Sequence, residues 1–268
     1  MILGISSYSY TWAVGVPGHL PEQRLTELNL LTKAGEVGVS LVQIADNLPL
    51  HEMTEDRIDA LVTTAARKNI RLEAGSNRMT RENLERYIIL AERIKSPILR
   101  FVIDSDDYKP SLNEIISIIR NAEPELKKNN VTLALENHDR LFTYQFVDII
   151  EKINSPFVGV CLDCANSLGA GEGLHAVVSA LAPYAVNFHL KEISIKRKFH
   201  KMGFDIEGKP FGEGNLPLEW MLERLTKKCK TAILEQWTPP EESLAATIEK
   251  ENRWAAQSIA YLRKYFKD

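Results

Sequence analysis

Short runs of mostly apolar residues alternate, from one end of the chain to the other, with longer stretches whose apolar positions recur every three or four residues. The short runs lie at 2–6 (ILGIS), 40–45 (SLVQIA), 71–75 (RLEAG), 98–103 (ILRFVI), 132–136 (TLALE), 158–163 (VGVCLD), 185–190 (AVNFHL) and 231–235 (TAILE). Near-continuous apolar character over four to six residues predicts parallel strands covered on both faces. Helical periodicity fills the intervals at about 21–38, 54–69, 80–96, 111–130, 143–154, 173–182, 216–229 and 243–266. Thr54 and Thr80 stand as caps before acidic first turns, and Ser111 precedes Glu114 in capping-box spacing. Pro97 and Pro156 end helical stretches just before a strand, because proline lacks the N–H and its ring clashes with the preceding turn.

Eight strand–helix pairs of about 33 residues each predict an α/β fold, a single (β/α)8 barrel over residues 1–268 with no linker or second domain. A doubly wound open sheet is the rival. It usually shows a glycine-rich phosphate turn after its first strand, and SSYSYTWAVG has none. One connection is unusually long: residues 193–215 join strand seven to the next helix, where a few residues normally suffice. Its Met202, Phe204, Ile206 and Phe211 argue against disorder.

Four of the predicted strands run out at an acid or an imidazole: Glu136, Asp163, His189 and Glu235. In a barrel, such strand ends converge on one rim. Parity supports this. Glu136 shares a side with Ala134, Asp163 with Cys161, His189 with Asn187 and Glu235 with Ile233, whereas Leu133, Leu135, Phe188 and Leu234 face the helices. Three carboxylates crowded together are heavily penalised unless a cation compensates, so a divalent metal site is expected. Mostly oxygen donors suit Mn²⁺ or Mg²⁺, with Co²⁺ an alternative. Glu73, Asn77, Asp104, Asn137, His138, Lys191 and Trp237 fall on the same rim, as does the pair Asp46–Asn47 after strand two. Each alone is an ordinary loop hydrogen-bonder. Together they describe a hydrophilic pocket with aromatic walls, suited to a carbohydrate. No serine–histidine or cysteine–histidine arrangement supports covalent hydrolysis.

A net charge of -3 gives no reason to expect nucleic acid or an anionic membrane as partner. MILGISSYSY lacks the form of a signal peptide, and no run approaches the roughly 18 apolar residues of a membrane span, so a cytoplasmic protein is expected. Three cysteines make no disulfide framework. Cys161 and Cys164 match C-x-x-C, but Cys161 lies within a strand and packing is the better reading. Trp254, Tyr261, Tyr265 and Phe266 on the terminal helix leave a homo-oligomer open.

ENHD at 136–139, CLDCAN at 161–166, HLKE at 189–192, the G-x-G of Gly212 and Gly214, and ILEQW at 233–237 together resemble the xylose isomerase-like TIM-barrel superfamily over essentially the whole chain. That resemblance implies one divalent metal, most often Mn²⁺, held by Glu136, Asp163, His189 and Glu235. In the epimerases of this group the two metal-bound glutamates also exchange protons with substrate, implying catalytic roles for Glu136 and Glu235. Two positions depart from those epimerases: Asn166 stands in place of a histidine, and Ile195 in place of an arginine, with Arg197 two residues on. Endonuclease IV of the same group binds three zinc ions through histidines this chain lacks. The segment from His189 to Gly214 is similar to a branch containing sugar phosphate isomerase/epimerase-type proteins and 3-oxo-sugar-acid decarboxylases of the 3-oxo-isoapionate type. The expected function is therefore a divalent-metal-dependent isomerase or epimerase acting on a keto-sugar or related polyol through an enediolate. Its substrate-binding residues are His138, Asn166, Lys191, Arg197 and Trp237, with Arg197 reaching the anionic group of an acidic substrate. The alternatives are a metal-dependent lyase on the same scaffold, a decarboxylase of a 3-oxo sugar acid or a dehydratase, and a metal-free sugar-binding barrel.

Overall fold

A computed structural model describes residues 1–267. In chain order the elements are β1 (Ile2–Ser6), α1 (Thr11–Val14), α2 (Glu27–Val37), β2 (Leu41–Ile44), α3 (Glu55–Arg67), β3 (Arg71–Ser76), α4 (Arg81–Arg93), β4 (Ile98–Val102), α5 (Leu112–Asn129), β5 (Thr132–Glu136), α6 (Thr143–Ile153), β6 (Val158–Asp163), α7 (Leu174–Leu181), β7 (Ala185–Leu190), β8 (Ile193–Arg197), β9 (Phe204–Gly208), α8 (Leu218–Leu222), β10 (Thr231–Leu234) and α9 (Leu244–Leu262). Eight parallel strands close on themselves in the order β1-β10-β7-β6-β5-β4-β3-β2. The expected TIM barrel is the fold. Among the described residues no helix is long and apolar enough to cross a membrane.

Closure follows from the alternation of side chains along each strand. Outward positions such as Leu133, Leu135, Phe188 and Leu234 are buried with Ile115, Ile119, Phe146 and Ile259 of the helix ring in one continuous apolar layer. Inward positions form a separate, smaller cluster of Ile98, Ala134 and Cys161, with Val186 packed on it. Above these the barrel interior turns polar, with Gln43, Glu73, Arg100 and Asn187 all buried. The caps read from sequence are formed: Thr54 accepts from the Arg57 N–H, Thr80 from Asn83 and Ser111 from Glu114.

One irregularity matters for the site. Pairing of β6 with β7 shifts by one residue between Val160↔Ala185 and Cys161↔Asn187, after which Asp163 lies opposite His189. Val186 is the extra residue of this bulge. Gly159 makes room for it, since a Cβ there would lie 2.6 Å from a Val186 methyl.

The structure departs from the periodicity in three places. The stretch 21–38 is helical only from Glu27, where Thr26 and Asn29 form a reciprocal capping box. The stretch 216–229 shrinks to the single turn of α8, whose buried face is only Leu218 and Met221. The long loop at 193–215 contains an antiparallel hairpin, β8 paired with β9 through Ile193↔Gly208 and Ile195↔Ile206.

Candidate metal centre

At the carboxyl ends of β5, β6, β7 and β10, one ligand atom from each of Glu136, Asp163, His189 and Glu235 lies within 4.8 Å of the others, and all four residues are buried. Each is oriented by its neighbours. Asp163 Oδ1 accepts the backbone N–H groups of Ala165 and Asn166, both at 2.7 Å, which turns Oδ2 toward the centre. The strand end itself is held by Asn137: its side chain accepts from the Asp163 N–H (2.8 Å) and donates to the Asp163 carbonyl (2.9 Å) and Ser167 (2.8 Å).

His189 is set from below. Gln43 directs its amide NH₂ to Glu73 (3.1 Å) and Asn187 (3.3 Å), so its Oε1 faces His189 Nε2 at 2.8 Å and requires a donor there. The proton therefore sits on Nε2 and the Nδ1 lone pair points to the centre. Nδ1 lies 3.4 Å from Glu235 Oε1, 3.5 Å from Glu136 Oε2 and 3.9 Å from Asp163 Oδ2. His189 Nδ1, Glu235 Oε1 and Asp163 Oδ2 are buried with no hydrogen-bond partner. Asp163 Oδ2 does stand 2.8 Å from Lys191 Nζ, an ion pair without directed hydrogen-bond geometry. Three such lone pairs converging beside the Glu136 carboxylate are what a divalent cation satisfies. The donor set fits such an ion.

Charge around the centre is finely paired. Arg100, buried on β4, donates through Nε to Glu136 Oε2 and through Nη1 to Asp46. Asn166 donates to Glu136 Oε1 at 2.8 Å and accepts from Lys191 at 3.1 Å. Lys191 also stands 3.1 Å from Glu235 Oε2. Burial alone raises Glu136, but the Arg100 guanidinium and His189 outweigh it and hold the carboxyl near 2. Glu235 is held well below the carboxylate range, His189 and Lys191 overcoming the effect of burial. Burial depresses Lys191, yet Asp163 and Glu235 raise it overall. For His189 burial is again opposed, by the Glu235 and Glu136 carboxylates, so a proton and a divalent ion compete for Nδ1. Deeper in the barrel, burial pushes Glu73 up to about 7 despite its hydrogen bonds.

The centre floors an open cavity of about 680 Å³. Tyr8, Trp12 and Trp237 supply aromatic wall, and His138, Asn166, Lys191 and Arg100 polar wall. Lys191 Nζ lies 5.3 Å from the Trp237 ring centroid. His138 sits half-exposed on the rim. Of the site residues read from sequence, the structure brings together Glu136, Asp163, His189, Glu235, Asn166 and Lys191, with His138 and Trp237 at the wall. It does not bring Arg197, which lies exposed on the hairpin. The Arg197 guanidinium stacks 4.5 Å over the Phe204 ring and donates to the Lys201 carbonyl at 2.9 Å. Asp104 is engaged by Arg140 in a two-bonded pair (2.5 and 2.6 Å) that ties the loop after β4 to the loop after β5. Arg100 and Gln43 escaped the sequence reading. Their signal was present: a charged or amide residue at an inward position of an otherwise apolar strand.

Three comparisons bear on this geometry. Residues 31–265 match the family model described as xylose isomerase-like TIM barrel. The 3-oxo-isoapionate decarboxylase of Pectobacterium atrosepticum is 27% identical over 266 residues, covering 98% of this chain and 95% of that protein. A D-psicose 3-epimerase from Clostridium cellulolyticum, solved with D-tagatose, superposes with a TM-score of 0.73 at 13% identity over the full length of both chains. A xylose isomerase-like TIM barrel protein from Mycobacterium smegmatis, solved in complex with magnesium, gives 0.70 at 15% identity, covering 97% of each chain.

Proposed function

The chain belongs to the xylose isomerase-like TIM-barrel family, and on that premise we propose that it is a metal-dependent lyase releasing CO₂ from a 3-oxo sugar acid. One observation carries this reading over proton exchange on a neutral keto-sugar. An epimerase needs a carboxylate free to take a proton from carbon. Here both oxygens of Glu136 are engaged, by Arg100 and Asn166, Glu235 Oε2 faces Lys191, and the remaining oxygen, Glu235 Oε1, is turned into the ligand cluster beside His189. A carboxylate so engaged is a poor base. Decarboxylation needs no base. The C–C bond to the carboxylate breaks, its electron pair moves toward the 3-oxo carbonyl, CO₂ leaves, and the α-carbon then takes up one proton.

Glu136, Asp163, His189 and Glu235 would hold the divalent ion, Mn²⁺ or Mg²⁺ by the hardness of the donors. When bound, it supplies Lewis-acid stabilisation of negative charge developing on the substrate's oxygens. Lys191, a buried cation that lines the cavity beside Asp163 and Glu235, is assigned the role of returning that proton. Asn166 keeps Lys191 Nζ in place. Trp237, Trp12 and Tyr8 give stacking faces for a sugar chain. The half-exposed His138 meets the distal hydroxyls.

A second reading, the keto-sugar isomerase or epimerase, keeps one supporting observation: Glu136 and Glu235 flank His189 Nδ1 at nearly equal distances, 3.5 and 3.4 Å. The metal-free sugar-binding barrel leaves the three orphaned lone pairs unexplained. The deciding experiment supplies a 3-oxo sugar acid and a neutral ketose in D₂O with Mn²⁺ or Mg²⁺. Release of CO₂ from the acid with one solvent deuterium in the product, and none entering the ketose, is the expected result. Deuterium entering the ketose with no CO₂ from the acid overturns the proposal.

A further inference from the structure

The hairpin β8–β9 has one apolar face. Its register sets Ile195 opposite Ile206 and Arg197 opposite Phe204 on this side, and Lys196 opposite Asp205 and Ser194 opposite Glu207 on the other. The charged side is internally paired, Lys198 with Asp205. The apolar side faces water, with Ile195 exposed to 40%, Phe204 to 53% and Ile206 to 47%, continuing at the tip into Met202 (79%) and Phe199 (96%). These are five of the twelve large hydrophobic side chains exposed among the described residues, gathered in one element. Scattered exposed hydrophobics are ordinary, whereas a contiguous patch marks a contact surface.

The base of the hairpin is fixed. The buried Glu192 carboxylate accepts the N–H groups of Ile193 (3.2 Å), Leu216 (3.1 Å) and Gly212 (3.4 Å). Asn215 donates to the Ile193 carbonyl (2.8 Å) and accepts from Ile195 (2.6 Å). Gly208 and Gly214 are pressed so close that a Cβ would lie 1.8 Å from the Trp237 carbonyl oxygen and 2.1 Å from Glu192 Oε1. With its base anchored in this way, the hairpin presents its apolar face preformed. A lone two-stranded hairpin is marginal in water unless its apolar face is covered.

We infer that this face packs against the same face of a second copy of the chain, about a two-fold axis. Its centre is the uncharged Ile195–Ile206 pair, so two copies meet without like charges opposed. The cation beside that pair, Arg197, is already partnered by Phe204 and the Lys201 carbonyl. Phe199, Met202 and Phe204, each more than half exposed, with Ile195 and Ile206 nearly so, supply the apolar centre of a standard interface, which buries ~800 Å² per partner. Two-fold pairing is the commonest closed assembly. The inference does not depend on the reaction proposed above.

Light scattering on the full chain at micromolar concentration tests it. A particle of twice 30.3 kDa is expected. Ile195→Ser with Ile206→Ser, and separately Phe204→Glu, should each weaken self-association by about tenfold or more, with divalent-ion uptake and melting temperature retained as evidence of folding. Lys196→Ala with Glu207→Ala, on the charged face, should leave the dimer intact. A monomeric parent chain, or a dimer indifferent to both apolar-face variants, overturns the inference. So does a monomer that floats with anionic phospholipid vesicles, which would assign the exposed tip to a membrane surface.

Discussion

At the scale of single residues, the buried cluster of Glu136, Asp163, His189 and Glu235 was legible because each ends a strand, where alternation fixes the direction of a side chain. What orients them was less legible. Gln43 and Arg100 sit inside strands that otherwise read as apolar, and only the closed barrel shows that Gln43 from β2 meets His189 from β7 across 146 positions of sequence. Arg197 was expected to reach the anionic group of an acidic substrate, but antiparallel pairing with β9 leaves it exposed on the hairpin. The orienting role of Gln43 leads to a test. Gln43→Leu removes the acceptor that keeps the His189 proton on Nε2, and outer partners of this kind are worth about 10–100-fold in metal affinity. Titration calorimetry with Mn²⁺ should show a loss in that range, and an unchanged affinity would mean that packing alone orients the imidazole.

Among the elements, strands were read within a residue or two because parallel strands buried on both faces have no competing pattern. The hairpin was missed for a physical reason. Its strands are exposed and alternate apolar with charged residues, in a stretch where barrel topology leads one to expect only a loop. Between helices, an unforeseen contact stands out. Glu27, buried at the first turn of α2, receives two bonds from Arg57 of α3, at 2.7 and 3.1 Å. Burial would raise the Glu27 carboxyl, but the Arg57 bonds outweigh it and lower it overall. A carboxyl lowered in the folded state adds stability above its unfolded value, near 4.3, and loses it as pH falls through the folded value. Arg57→Gln should therefore cost about 1 kcal/mol at neutral pH, a low figure because Arg57 is half-exposed. Denaturant titrations should show that deficit shrinking as pH drops below 4.3. A deficit independent of pH would assign Arg57 to packing alone.

For the molecule as a whole, eight strand–helix repeats made the barrel readable, while closure and the bulge between β6 and β7 depend on contacts no local pattern carries. Closure also concentrates cost. Glu136, Asp163 and Glu235 are buried together at one end of the barrel, so an ion bound there stabilises the folded chain by mass action. At a hundredfold excess over Kd that is about 2.7 kcal/mol. Chelation should lower the melting temperature by several degrees, restored by Mn²⁺ or Mg²⁺; a midpoint blind to both would mean no ion binds. The three cysteines are likewise enclosed, at different depths: Cys161 in the barrel interior, Cys164 under the Lys191 backbone, Cys229 just before β10. Burial pushes the Cys161 and Cys229 thiols up to about 12 and raises Cys164 as well, so none presents a thiolate to a reagent while the barrel is shut. The chain thus carries three native gauges of how far and where it opens, and a cysteine engineered onto the hairpin tip would stand as a single chemical handle against a silent background.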